Sequence, residues 1–180
     1  VSEVDVEDRQ SFAGVGSTAG DNGFGSFTLA GGIWTYTLDQ SAVQDLDALD
    51  VVTDTITFTA DDGITQEITV TITGSDDVAE VTGVTTGAVT EGNVGDAAVT
   101  ATGSIAISDV DVEDSPSFVD VGSTAGDNAY GGFTLVGGTW TYTLDQSAVQ
   151  DLDALDVVTD TITFTADDGI TQEITVTITG

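Results

Sequence analysis

Acidic side chains that crowd into a few short stretches are the groups in this sequence best placed to do chemistry. Asp109-Val-Asp111-Val-Glu113-Asp114 puts four carboxylates into six residues, Asp167-Asp168 precedes Gly169, and Asp76-Asp77 follows Gly74-Ser75. Carboxylates are hard oxygen ligands, and the cations they suit are calcium and magnesium. Alternation at i and i+2 predicts Asp109, Asp111 and Glu113 on one side of an extended segment. Like charges this close repel unless a cation or a proton intervenes. The competing reading is an ordinary solvated loop, and Asp168-Gly169 is a favoured turn dipeptide with or without metal. Neither an EF-hand loop nor a glycine-rich calcium nonapeptide is present, so any site must be assembled from separate loops.

The rest of the composition narrows the field. The 180 residues carry 32 acidic side chains against one basic residue, Arg9, a formal net charge of −31. Nucleic-acid binding needs Lys and Arg to displace counterions, and a polyanion is repelled by anionic lipid. With no His and no Cys, zinc and copper lose their usual ligands, and nucleophile–imidazole pairs cannot form. Paired carboxylates such as Asp167 and Asp168 could in principle act as acid and base in glycoside hydrolysis, yet adjacent residues on a tight turn lack the cleft, so no enzyme is expected. Folding is expected, because 39% of residues are hydrophobic and mean hydropathy is +0.15. No apolar run is long enough for membrane insertion, and no basic-then-apolar leader opens the sequence, which reads as an excerpt starting at Val1.

The chain repeats itself. Asp5-Val-Glu-Asp8 recurs as Asp111-Val-Glu-Asp114, an offset of 106, and Trp34–Gly74 is identical to Trp140–Gly180. Across the 74 overlapping positions 11 differ. One full period, 75–180, therefore follows the last part of another, 1–74. Repetition this close suits a spacer better than an active site.

Within a period the pattern is β throughout. Phe133-Thr-Leu135 and Trp140-Thr-Tyr-Thr-Leu144 alternate large apolar residues with Thr, and Gly137-Gly138 between them reads as a hairpin turn. Thr161–Thr165 and Ile174–Ile178 alternate likewise and are joined by Asp167-Asp168-Gly169. Ala79–Thr90, with Gly83 and Gly87, predicts an edge strand with a kink or a sheet switch; Ala98–Ser108 predicts a long strand and Ser117–Val121 a short one. Ser147-Ala-Val-Gln150 reads as a capping box opening one or two helical turns. The fold class is thus all-β: tandem immunoglobulin-like, seven-stranded Greek-key β-sandwiches with a short helical turn between the fifth and sixth strands. Trp140 and Tyr142 are expected inside, opposite Ile162 and Phe164. A sugar-stacking platform is the functional alternative for these aromatics.

Gly138-Thr-Trp-Thr-Tyr-Thr-Leu-Asp145, Ala148-Val-Gln-Asp-Leu152, Thr159–Gly169 and Thr175-Val-Thr-Ile-Thr-Gly180, in this order, resemble the VCBS repeat family, cadherin-like modules found in tandem in giant bacterial surface adhesins of the repeats-in-toxin secretion class. The resemblance spans essentially the whole period. Two places depart from it: Ser75 and Asp76 replace Thr and Asn of the family's Thr-Gly-Thr-Asn-Asp linker, and Val157-Val158-Thr159 replaces a Gly-Glu-Thr step. The resemblance implies an extracellular or cell-surface location and a role in adhesion, filaments or biofilm.

Sandwich topology brings the loop after the second strand and the turn before the seventh to the linker end. Asp109, Asp111, Glu113, Asp114, Asp167 and Asp168 are then expected to converge with Asp76 and Asp77 on Ca2+. The first-copy equivalents are Glu3, Asp5, Asp61 and Asp62. Glu91 and Asp151, Asp153 and Asp156 belong to the opposite end. The functional expectation is a structural stalk whose module junctions calcium stiffens; the alternative is a carbohydrate- or ice-binding module that uses Thr-x-Thr rows such as Thr55, Thr57, Thr59 and Thr69, Thr71, Thr73. Expected partners are neighbouring repeats, with head-to-tail strand donation between chains as a route to completing the first module, which lacks counterparts of Ala79–Ala106.

Overall fold

Threonine alternating with Ile, Val, Phe and Trp gives each strand one wet and one apolar face, and pairs of such strands bury the apolar faces against each other. The computed structural model describes residues 11–111 and 113–180, and the chain divides into two units. The first runs to Asp77 and includes Val110–Glu113; the second comprises Val78–Asp109 and Asp114–Gly180. The division thus falls three residues later than the repeat boundary at Gly74, and a short piece of the second period groups with the first unit.

The second unit is an all-β sandwich. Its strands are β6 (Glu80–Gly83), β7 (Thr86–Thr90), β8 (Thr100–Ser108), β9 (Val121–Ala125), β10 (Gly131–Val136), β11 (Thr139–Leu144), β12 (Val157–Thr165) and β13 (Thr171–Thr179). One sheet has the order β6-β8-β11-β10-β9, the other β12-β13-β7. The sheet switch expected in residues 79–90 is present: β6 pairs antiparallel with β8, the chain turns at Gly83 with φ 123°, and β7 pairs parallel with β13. Only glycine adopts such a φ without strain. Trp140, Tyr142, Phe133, Leu135, Phe164, Ile174, Val176 and Ile178 fill the space between the sheets. The aromatics are core, as their alternation with Thr requires.

Two local expectations are corrected. Residues 117–120 form no strand beyond an isolated bridge from Phe118 to Ala166, and pairing begins at Val121. The helical turn is a 3-10 turn, Gln146–Ala148, capped by Asp145, whose carboxylate accepts from the Ser147 backbone N–H. Ser147 is therefore a donor to the cap rather than the cap itself, since Asp145 stands one residue before the turn with extended backbone.

The first unit contains β1 (Val15–Ala19), β2 (Gly25–Ala30), β3 (Ile33–Leu38), β4 (Val51–Thr59) and β5 (Thr65–Thr73) among the described residues. They form a β1-β2-β3 sheet and a β4-β5 hairpin. Phe27, Leu29, Ile56 and Phe58 make its buried core. Among the described residues, no helix is long and apolar enough to cross a membrane.

Candidate metal centre

The β12–β13 hairpin turns at Gly169, whose φ of 92° lets the chain reverse tightly after two consecutive carboxylates. Asp168 Oδ1 accepts from the Ile170 N–H at 2.9 Å, which closes the turn on itself. Asp167 reaches instead to the segment after β8: its Oδ1 accepts from the Ser117 N–H at 2.8 Å and its Oδ2 from the Ser117 hydroxyl at 2.9 Å. Those two bonds hold the Asp167 carboxyl below the usual carboxylate range, so it is ionised at neutral pH. They also tie the two loops together.

Between them lies a hollow of about 270 Å³ lined by Asp109, Asp114, Ser115, Pro116, Asp167 and Asp168. Four carboxylates from two loops distant in sequence thus border one space, entirely within the second unit. Eight carboxylate oxygens match the oxygen number that calcium takes, and Asp167 and Asp168 keep lone pairs beyond those used by their N–H and O–H donors.

Asp111 and Glu113 are not among the residues that line the hollow. The chain bends at Val110 and Asp111 and turns at Glu113 where an extended segment was expected, so the i and i+2 alternation does not hold there. Asp111 is buried in the first unit, where its Oδ2 accepts from the Asp77 N–H at 2.8 Å, and a carboxylate oxygen of Asp47 lies within 4.8 Å of one of its own. Glu113 is exposed. Asp76 and Asp77 belong to the first unit, Asp76 exposed and Asp77 half-buried. At the tip of β4–β5, Asp61 accepts from the Ser11 N–H and hydroxyl, and Asp62 from the Ile64 N–H, repeating the Asp167 and Asp168 pattern. Glu3 and Asp5 lie outside the described residues.

Glu91 sits at the other end of the second unit, where its N–H donates to the Thr179 carbonyl at the close of β13. Its Oε2 is shut off from solvent without a hydrogen-bond partner, as is the Gln146 Nε2. Nearby, Asp153 and Asp156 close their own loop: the Asp153 N–H donates to Asp156 Oδ2, and the Asp156 N–H to the Asp153 carbonyl.

One carboxylate of consequence escaped the reading of the acidic clusters. Asp160 is fully buried in β12, in phase with Ile162 and Phe164, and accepts from the N–H groups of Asn128, Tyr130, Gly131 and Thr161 and from the Tyr142 hydroxyl. Its parity along the strand was the available signal. These donors use its lone pairs and make it a structural clamp for the β9–β10 turn rather than a ligand. Asp54 does the same in the first unit, with donors from Asn22, Thr55 and Tyr36.

No family model and no curated protein matches this sequence. Among solved structures, a tri-modular GH5 (subfamily 4) endo-β-1,4-glucanase from Bacillus licheniformis, complexed with cellotetraose, overlaps 95% of this chain and 33% of its own, with TM-score 0.30 and 13% identity. A Ca2+-stabilized adhesin that helps an Antarctic bacterium bind ice overlaps 94% of this chain and 40% of its own, with TM-score 0.27 and 14% identity. The chain therefore spans well under half the length of either, and both overlaps are too loose to transfer a property.

Proposed function

We propose that this chain is a structural extender from a bacterial surface adhesin or extracellular filament, its repeats stabilised and its module junctions stiffened by Ca2+. The observation that carries the proposal is the hollow bordered by Asp109, Asp114, Asp167 and Asp168 in a chain whose sole basic residue is Arg9. Like charges bordering one space repel one another, and a positive charge among them relieves that repulsion. Bound calcium would supply that positive charge. Asp167, positioned by Ser117, and Asp168, positioned by Ile170, would present oxygens from one side; Asp109 and Asp114 would present them from the other. Near-identity of the two repeats and their motif-by-motif resemblance to VCBS modules support the same role.

A native-state ligand stabilises by RT ln(1 + [L]/Kd), about 2.7 kcal/mol at 100 times Kd. Melting curves in EDTA, millimolar calcium and millimolar magnesium test this. Calcium should raise the second unit's midpoint most, because magnesium demands a tighter octahedron. Asp114→Asn and Asp168→Asn should each reduce that rise. Identical midpoints in all three solutions would remove calcium from the proposal.

A further inference from the structure

We propose that Asn22 is a site of intramolecular deamidation gated by the turn that holds it, so that the first unit keeps a one-way chemical record of the turn's opening. The reaction needs an asparagine followed by a residue whose backbone nitrogen can reach the side-chain carbonyl carbon. Of the three asparagines, Asn22, Asn93 and Asn128, only Asn22 precedes a glycine, Gly23. With no Cβ, Gly23 leaves its nitrogen unshielded and the chain free to adopt the ring geometry. That nitrogen bonds to Asn22 Cγ, the side-chain NH2 leaves with the displaced proton as ammonia, and a five-membered succinimide forms. Solvent water then opens the ring to aspartate or isoaspartate. The step needs no oxidant, cofactor or metal, and it does not rest on the calcium reading.

In the folded turn between β1 and β2 both reacting groups are tied down. The Gly23 N–H, whose proton must leave, donates to the Gly20 carbonyl at 3.1 Å. Asn22 Nδ2 donates to the Thr53 carbonyl at 2.7 Å, and the Asn22 N–H donates to Asp54 Oδ1 at 3.0 Å. Asn22 and Gly23 are exposed, so water reaches them and the restraint comes from these bonds rather than from burial. The second unit supplies the comparison. There the Ala129 N–H donates to the Gly126 carbonyl at 3.0 Å, Asn128 Nδ2 to the Thr159 carbonyl at 2.8 Å, and the Asn128 N–H to Asp160 Oδ1 at 2.9 Å. The turn is the same except that Ala129 replaces Gly23 and Tyr130 replaces Phe24, and the alanine Cβ crowds the attacking nitrogen. Once formed, the product cannot restore the turn. A carboxylate oxygen in place of Nδ2 meets the Thr53 carbonyl with no proton between two acceptors. Isoaspartate lengthens the main chain by one carbon, which throws the bonds to Gly20 and Asp54 out of register.

The test incubates the 180-residue chain in mildly alkaline buffer, folded and in denaturing urea. Peptide mass spectrometry follows deamidation at each asparagine, and enzymatic methyl transfer follows isoaspartate. In urea Asn22 should convert faster than Asn128. In the folded chain it should slow by at least about tenfold, the factor that each 1.4 kcal/mol of opening free energy gives. Gly23→Ala should bring Asn22 down to the Asn128 rate and leave the chain folded, since Ala129 already occupies the equivalent position at φ 58°. Chains converted at Asn22 should melt earlier in the first unit than unconverted ones. Equal rates at Asn22 and Asn128 in urea, the same Asn22 rate in folded and unfolded chains, or an unchanged melt after conversion would each overturn the proposal.

Discussion

Gly126 faces Asp160 so closely that a Cβ on the glycine would overlap the buried carboxylate. The same relation joins Gly20 to Asp54 in the first unit. Four backbone N–H groups and the Tyr142 hydroxyl converge on Asp160, and the glycine leaves the room for them. Gly126→Ala is expected to destabilise the second unit by about 2 kcal/mol or more, because the steric conflict involves a charged group with no space to retreat. Asp160→Ala should cost more, on the order of 3–5 kcal/mol, since several buried donors lose their acceptor at once. Tyr142→Phe removes one donor and should cost about 1–2 kcal/mol. Urea titration of the three variants checks the ranking.

Alkaline pH should destabilise the protein through buried Tyr142 and half-buried Tyr36. Burial, together with the hydrogen bond and charge of Asp54, pushes the Tyr36 hydroxyl up to about 12 from an ordinary 10.0; burial, with the Asp160 charge next, raises Tyr142 further still. A raised folded value means the contribution is complete below pH 10 and is lost as pH climbs through the folded values. Denaturation midpoints measured between pH 8 and pH 12, on an order-of-unit grid, should fall above about 10, and Tyr142→Phe should flatten the fall for the second unit.

In acid the sign reverses. Asp167 and Asp145 are held below the ordinary 3.8, the first by the Ser117 N–H and hydroxyl, the second by the Ser147 hydroxyl and N–H. Their contributions are present above that value and disappear as pH falls through the lowered ones. Ser117→Ala should bring the Asp167 titration, followed by carboxyl NMR shifts, back toward 3.8. An unchanged titration would mean that the N–H of residue 117, which alanine keeps, sets it and not the hydroxyl.

Unfolding should proceed in two stages. Burying one large apolar side chain is worth about 1.5–3 kcal/mol, and the first unit leaves Trp34, Ile68 and Val70 partly open where the second unit closes their equivalents. That deficit rivals the whole stability of a small domain, roughly 5–15 kcal/mol. Calorimetry should show an early transition that Trp34→Ala barely moves and a later one that Trp140→Ala lowers sharply. A single transition shifted equally by both would contradict it.

Leu155 stands at φ 82° and is 87% exposed, held in a left-handed conformation by the loop that Asp153 and Asp156 close. That conformation costs an L-residue about 1–2 kcal/mol, which Asn tolerates better. Leu155→Asn should stabilise the second unit by about 0.5–1 kcal/mol, with no packing lost. Its midpoint in thermal melts is the readout.

The period-two alternation of Thr with Ile, Val, Phe and Trp determined by itself which residues form β10 to β13 and which face of each is buried, because side chains on a strand alternate whatever its neighbours are. The positive φ available to glycine likewise marked the turn at Gly137-Gly138 and the sheet switch at Gly83. The acidic loops were legible as loops. Their grouping was decided by tertiary structure: Asp109 and Asp114 line the hollow with Asp167 and Asp168, while Asp111, at a bend in the chain, belongs to the first unit. Sequence spacing fixes side only while the backbone stays extended, and nothing in the residues around Asp111 announces the bend there. Asp160 shows the converse. Its phase with Ile162 and Phe164 was a signal the acidic clusters hid, and only the fold supplied the five donors that let a buried carboxylate persist there.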